Sequence, residues 1–279
     1  MTSPLLPLYE KLLTTLPLEG KRLWRLFLSQ LLNKPADSFL FHPYPFLRDQ
    51  QYQQLDTWVK QALDGVPWPR IVLEREFWSL TFALSPATLD PRADSETLVE
   101  AVLKTFPDTL QPYSFVDLGT GSGCLLIALL SEYRSATGIG VDINPQSLRT
   151  AQANAHRHGL TERAEFLSGD WLSPLQKPFD ILISNPPYIS DGDYDCLPPI
   201  VKNFDPPQAL RGGIDGLAAY GLMAQQLSSF PYPPSHIFLE IGRGQKEDIC
   251  PLFHKIGYSL RAHFLDLQGI CRVLYFLRT

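Results

Sequence analysis

Between residues 114 and 255 the chain alternates short apolar runs with segments of helical spacing, and no other feature narrows the choice of fold so far. Strands are expected over 114–118, 137–141, 164–167, 179–184 and 236–241, and helices over 124–131, 145–158, 218–228 and 245–255. This is the pattern of a parallel sheet covered on both faces, because parallel strands are joined by helical crossovers. Two further β-rich runs, 260–266 and 271–277, are separated by Gln268-Gly269 and read as a terminal antiparallel hairpin. The expected fold class is α/β and Rossmann-like, with a mostly parallel sheet and a C-terminal antiparallel hairpin. Ligands of such sheets bind outside the carboxyl ends of the strands, so the residues that follow each strand are the candidates for chemistry.

After the first strand, Val116-Asp117-Leu118 runs straight into Gly119-Thr120-Gly121-Ser122-Gly123 and then a helix. Glycines in that context let a backbone approach a ligand with no Cβ in the way. Cys124 stands where a dinucleotide fingerprint has its third glycine, which disfavours a pyrophosphate reader. Asp142 ends the second strand, nineteen residues beyond Gly123, where a carboxylate can accept both hydroxyls of a ribose. Asp170-Trp171 follows the third strand at the same edge, and the indole can either pack in the core or lie flat against a base.

The fourth strand ends abruptly in Ser184-Asn185-Pro186-Pro187-Tyr188. Two prolines cannot donate to a ladder, and they fix φ, so the backbone after Asn185 is stiff and its carbonyls stay free to accept. With the Asn185 amide oxygen and the Tyr188 ring, they make a socket for a planar NH2 group, either an amide or an exocyclic base amine.

The 279 residues carry a net charge of -5, which offers no basic footprint for nucleic acid and favours a protein partner. Cys124, Cys196, Cys250 and Cys271 form no CxxC pair and have no nearby histidine pattern that would suggest zinc, so no metal is expected. Charged residues Glu10, Lys11, Lys21, Arg22 and Arg25 interrupt the apolar N-terminal stretch, leaving no membrane span or signal peptide and pointing to the cytoplasm. Residues 1–68 read as a small helical bundle, with Trp24, Phe27, Leu28, Leu31 and Leu32 on one stripe and Tyr52, Leu55, Val59 and Leu63 on another. Short β-like stretches at 71–73 and 77–82 suggest a hairpin linker over 69–88, before a catalytic domain over 89–279. Asp94 and Ser95 suit a helix start, whereas Arg92 has no evident task there. Residues 190–216 show no periodicity and read as a lid or binding loop.

The order glycine loop, Asp142, Asp170-Trp171 and Asn-Pro-Pro-Tyr resembles the class I S-adenosylmethionine methyltransferases that act on planar nitrogen, among them enzymes for adenine and guanine amines. The rest of the chain resembles the release factor glutamine methyltransferases, the PrmC/HemK family, over nearly its whole length. The matching stretches are Arg75-Glu76-Phe77-Trp78, Pro91-Arg92-Ala93-Asp94-Ser95-Glu96, Gly212-Gly213-Ile214-Asp215-Gly216-Leu217, Glu240-Ile241-Gly242 and Asp266-Leu267 with Arg272-Val273. Ala93 replaces the family's usual second proline, and Asp205 stands where glutamate is more usual.

The resemblance implies methylation of the glutamine in the Gly-Gly-Gln tripeptide of class I peptide chain release factors. Its cofactor is S-adenosylmethionine, and a monomer with no direct nucleic-acid or membrane partner is expected. Carried over by position, Gly119, Thr120, Gly121, Ser122, Gly123, Asp142, Trp171 and Asn185 contact the cofactor. Asn185, Pro186, Pro187 and Tyr188 hold the glutamine, with Asn185, Pro186 and Tyr188 catalytic. Arg92 and Glu96 position the cofactor or the loop over it. The helical domain helps to grip the release factor.

Overall fold

The N-terminal apolar stripes fold as helices α1 (Leu6–Thr15), α2 (Gly20–Leu32), α3 (Asp49–Leu63) and α4 (Trp68–Val72) in a computed structural model that describes residues 4–279. Trp24, Phe27, Leu28, Leu55 and Val59 are buried together, with Leu31, Leu32, Tyr52 and Leu63 packed partly against them. Full burial of side chains this size contributes about 1.5–3 kcal/mol each. The buried Trp24 indole donates to the Pro43 carbonyl at 2.7 Å, so its polar atom is satisfied.

The chain divides after Leu73 into two compact units. Residues 71–73, expected as a strand, instead finish α4 and its left-handed cap, where Leu73 has φ 56°. Pro69 sits in the first turn of that helix, where a missing N–H costs nothing, so two β-branched residues after it were a misleading signal.

The second unit opens with the hairpin β1 (Glu74–Phe77) and β2 (Leu80–Ala83), paired antiparallel. Trp78 and Ser79 form its two-residue turn, both at positive φ (53° and 57°), the geometry that matches strand twist. This hairpin is anchored in the second unit. Asn154 brackets Ala83, accepting from its N–H at 2.7 Å and donating to its carbonyl at 3.1 Å, while Glu96 accepts from the Trp78 N–H at 2.8 Å.

Strands β3 (Ser114–Leu118), β4 (Thr137–Asp142), β5 (Ala164–Ser168), β6 (Ile181–Ser184), β7 (His236–Glu240), β8 (Tyr258–Leu265) and β9 (Cys271–Arg278) form one seven-stranded sheet in the order β5-β4-β3-β6-β7-β9-β8. The first five run parallel, and β9 and β8 are antiparallel. Alternate residues feed two cores. Phe115, Ile181, Ile183 and Phe238 pack with helices α5 (Glu96–Thr105) and α6 (Cys124–Glu132). The remainder of that layer includes Ala155 from α7 (Pro145–Arg157). Val116, Leu118, Leu182, Ile237 and Leu239 face the opposite layer.

Residues 190–216 are more ordered than their sequence suggests, holding the short helices α8 (Asp191–Asp195) and α9 (Pro199–Lys202) and a 3-10 turn at Pro207–Ala209. Helices of four or five residues are too short to show a period, which is why sequence patterning missed them. Helices α10 (Ala218–Ser229) and α11 (Lys246–His254) complete the second layer. Among the described residues no helix is long and apolar enough to cross a membrane.

Candidate active site

The order of strands reverses between β3 and β6, and the carboxyl ends of β3, β4 and β6 face a cavity of about 290 Å³. At one end the chain leaves β3 through Gly119, Gly121 and Gly123, all at positive φ (72°, 56° and 80°), a path closed to side chains at little cost. The Gly119 and Thr120 N–H groups both donate to the Val141 carbonyl, at 2.8 and 2.9 Å, which ties the loop to the end of β4. Gly123 serves packing as well: a Cβ there would lie 3.1 Å from Ala151 in α7.

Asp142 supports the loop from below. Its Oδ2 accepts from the Gly121 N–H at 2.9 Å and its Oδ1 from the Asn144 N–H at 2.8 Å. Burial raises its pKa, and these two bonds hold the charge against that. Each oxygen keeps a lone pair for a ligand hydroxyl. Trp171 reaches positive φ (52°), and its ring lies 3.7 Å from where a Gly119 Cβ would be. It is the flat wall of the cavity. Under the loop, Asp117 accepts from the Thr120 hydroxyl at 2.6 Å and is pushed up to about 7 by burial.

At the other end, β6 delivers Asn185. Its Nδ2 donates to the Ser95 hydroxyl at 3.0 Å, and Asn185 and Ser95 both favour the ionised form of the neighbouring Glu240 carboxylate. The pairing of Ser184 with Leu239 puts Asn185 and Glu240 side by side at the ends of β6 and β7. Glu240 is 1% exposed, and burial pushes it up to about 7 against the pull of Ser95, Arg272 and Asn185. The backbone after Asn185 is held from behind. Gln245 donates to the Tyr188 carbonyl at 2.9 Å and accepts from the Gly242 N–H at 2.8 Å. A Cβ on Gly212 would lie 2.8 Å from the Pro187 carbonyl, so only glycine allows the 212–216 turn to pack on this stretch. The Pro186 carbonyl accepts no hydrogen bond among the described residues.

Arg92 has a task after all. It lines the cavity, pairs with Asp205 and lies 3.8 Å from Asp90, fastening the turn before α5 to the 190–216 segment. Pro206, Gln208 and Ala209 of that segment also line the cavity.

Residues 77–204 match the family model described as the methyltransferase small domain. The chain is 38% identical to a release factor glutamine methyltransferase of Rhodospirillum rubrum, over 90% of this chain and 76% of the relative. It is 37% identical to the enzyme of that name from Agrobacterium fabrum, over 91% and 89%. The chain belongs to the release factor glutamine methyltransferase family. In fold it also resembles the catalytic domain of hMettl16 in complex with MAT2A 3′UTR hairpin 6, with a TM-score of 0.58, 13% identity, and 82% of each chain covered.

The family's expected site is partly gathered in the one cavity, whose lining includes Gly119, Thr120, Gly121, Ser122, Asp142, Trp171, Asn185 and Pro187. Gly123, Pro186 and Tyr188 are not in that lining. Tyr188 is partly buried, its ring edge 3.1 Å from a Cβ position at Gly242, and its hydroxyl is pushed up to about 12 by burial. Glu96 likewise stands apart: it closes the hairpin turn through Trp78 and does not line the cavity. Sequence reasoning missed the grip of Ser95 and Glu240 on Asn185, because Ser95 passed as an ordinary helix start. The available signal was Glu240 itself, an acid ending an apolar strand adjacent to the Asn185 strand.

Proposed function

We propose that this enzyme transfers a methyl group from S-adenosylmethionine to the side-chain amide nitrogen of the glutamine in the Gly-Gly-Gln motif of class I peptide chain release factors, acting in the cytoplasm as a monomer. Family membership supports the substrate class. The observation that carries the reading is the placement of Asn185 at one end of a cavity whose other end is the glycine loop with Asp142 and Trp171.

The residues present fit the cofactor. A glycine cradle open to close approach, a carboxylate with lone pairs left for ribose hydroxyls and an indole wall are the features an adenosine group needs. Gly119, Thr120, Gly121, Ser122, Asp142 and Trp171 would hold it. When bound, S-adenosylmethionine supplies an electrophilic methyl group on a sulfonium, a good leaving group.

The protein's task is to make an amide nitrogen nucleophilic, since its lone pair is delocalised into the carbonyl. Asn185 Oδ1 and the Pro186 carbonyl accept the two N–H bonds of the substrate amide, while Pro187 and Tyr188 hold its plane. Acceptors at both hydrogens favour a more tetrahedral nitrogen with developing positive charge, so they bind the transition state better than the ground state. The N-methylated amide, a strong acid while protonated, then gives up one of those protons to water. Fixing the amide in line with the methyl adds the benefit of orientation. With a hydroxyl pushed up to about 12, Tyr188 stays protonated at neutral pH and does not act as a base. No histidine lines the cavity, in keeping with a mechanism that relies on acceptors.

The test is transfer of labelled methyl to a purified class I release factor, beside a copy with its Gly-Gly-Gln glutamine replaced and beside DNA and RNA. Label on the intact factor alone is expected. Label on nucleic acid, with none on the factor, overturns the reading and makes the Asn-Pro-Pro-Tyr socket a base pocket.

A further inference from the structure

An asparagine amide has a donor end and an acceptor end of nearly the same shape, and the proposed chemistry works only if the acceptor end meets the substrate. Something must therefore prevent the Asn185 amide from rotating by half a turn. Its Nδ2 is held by the Ser95 hydroxyl at 3.0 Å, and strand register sets the buried carboxylate of Glu240 beside it. A carboxylate accepts and cannot donate, so it fits the NH2 end of Asn185 and repels the oxygen end. Ser95, 3% exposed, completes a triangle, accepting from Asn185 and favouring the ionised form of Glu240. Asn185 Oδ1 accepts no hydrogen bond among the described residues and remains available at the cavity wall.

We infer that Glu240, acting through Ser95 and directly, is a positioning residue that locks the Asn185 amide with its oxygen toward the substrate glutamine. The inference rests on the methyl-transfer reading above and gives this buried carboxylate a task in it. A second observation supports the assignment. Glu240 Oε2 has no hydrogen-bond partner among the described residues, so the carboxylate is held in a buried position without its full set of hydrogen bonds. Such a group is costly to the fold, and a neutral glutamine or an apolar side chain would be the cheaper occupant.

The same arrangement makes the lock sensitive to pH. A protonated Glu240 could donate to Asn185 Oδ1 and stabilise the flipped, inactive amide. The groups around it are Asp94 before α5, Arg272 of β9, Tyr188 after β6, Tyr220 of α10 and Cys124 of α6. Burial pushes Tyr188 and Cys124 up to about 12 and raises Tyr220 well above its usual value, so none of these three changes charge near neutrality. Glu240 itself, pushed up to about 7, does. Its active, ionised form is lost as pH falls through that value, so turnover should fall with it.

The experiment compares wild type with Glu240→Gln for release factor methylation across pH 5.5–9, with KM for both substrates and the midpoint of thermal unfolding. Glu240→Gln should lower kcat by about 100-fold at pH 8. KM for S-adenosylmethionine should stay within about threefold, and one acid-side step in the pH profile should disappear. Asp117, also pushed up to about 7, is untouched by the variant, so any step it contributes persists. Wild-type kcat in the variant, or a lower kcat with an unchanged pH profile, overturns the inference. If Glu240→Gln does not fold, Ser95→Ala decides: without the Ser95 hydroxyl, which holds the Glu240 pKa down, the acid-side step should move to higher pH, and an unmoved step overturns the inference. A wild-type enzyme that does not methylate the factor would instead remove the functional reading, which separates the two failures.

Discussion

At the glycine-loop end of the cavity the polar partners are close in the chain: Asp117 and Thr120 are 3 residues apart, Gly121 and Asp142 are 21. At the Asn185 end they are distant, with 90 residues between Asn185 and Ser95 and 57 between Tyr188 and Gln245. The first end is set by one strand–loop–helix and its neighbouring strand. The second exists only when β6, β7, the start of α5 and the 212–216 turn have assembled. Binding of the cofactor and reaction of the substrate should therefore fail separately, one on damage to each end.

The strongest way to break that division is Asn185→Ala. Removing an acceptor aimed at developing charge should cost about 10²–10³-fold in kcat, with binding of S-adenosylmethionine, followed by calorimetry, changed by no more than about threefold. A large loss of cofactor affinity with near-normal turnover at saturation would mean that Asn185 belongs functionally to the other end.

Asp142→Asn is the mirror test and a smaller effect. The amide can present one oxygen where the carboxylate presented two, so the Gly121 and Asn144 N–H groups can no longer both be satisfied as they are now. Hydrogen bonds to a charged group contribute about 1.5–3 kcal/mol, so the dissociation constant for S-adenosylmethionine should rise about 10- to 100-fold. At saturating cofactor kcat should stay close to wild type. An equal fall in kcat would show that the two ends are coupled.

The same contrast explains what could be seen from sequence. The parallel sheet, the glycine loop and Asp142 were legible because their cause is local: strand periodicity, glycines at positive φ and an acid ending the next strand. Asn185 was legible because two prolines after an apolar run are a local signal too. What could not be read is everything arranged by register. That β6 lies beside β7, and so Asn185 beside Glu240, follows from strand order, which periodicity does not encode. The strand expected at 71–73 failed for the opposite reason: Ile71-Val72 has β propensity, but packing of Ile71 into the helical core outweighed it. That Glu96 closes the Trp78–Ser79 turn was not legible either, because nothing local reveals that the turn lies within its reach.

The Arg92–Asp205 pair joins a residue lining the cavity to the 190–216 segment, and it sharpens the comparison by asking how much a cover adds to either end. Arg92 is 40% exposed while Asp205 is 5% exposed, so solvent screens the pair from one side. Its coupling, measured by a double-mutant cycle of Arg92→Gln and Asp205→Asn, should be about 1 kcal/mol or less. The single variants should not be equal. Asp205→Asn leaves Arg92 with Asp90 at 3.8 Å, whereas Arg92→Gln takes this cation from Asp205 and leaves Asp90 with Arg75 at 3.4 Å. Arg92→Gln should therefore raise KM for S-adenosylmethionine about fivefold and Asp205→Asn about twofold, and the coupling should shrink as salt rises from 50 mM to 0.5 M. If it persists at high salt, or if both variants cut kcat as deeply as Asn185→Ala, the segment is part of the reacting end. If both act on KM alone and fade with salt, it is an electrostatic fastening over the cofactor.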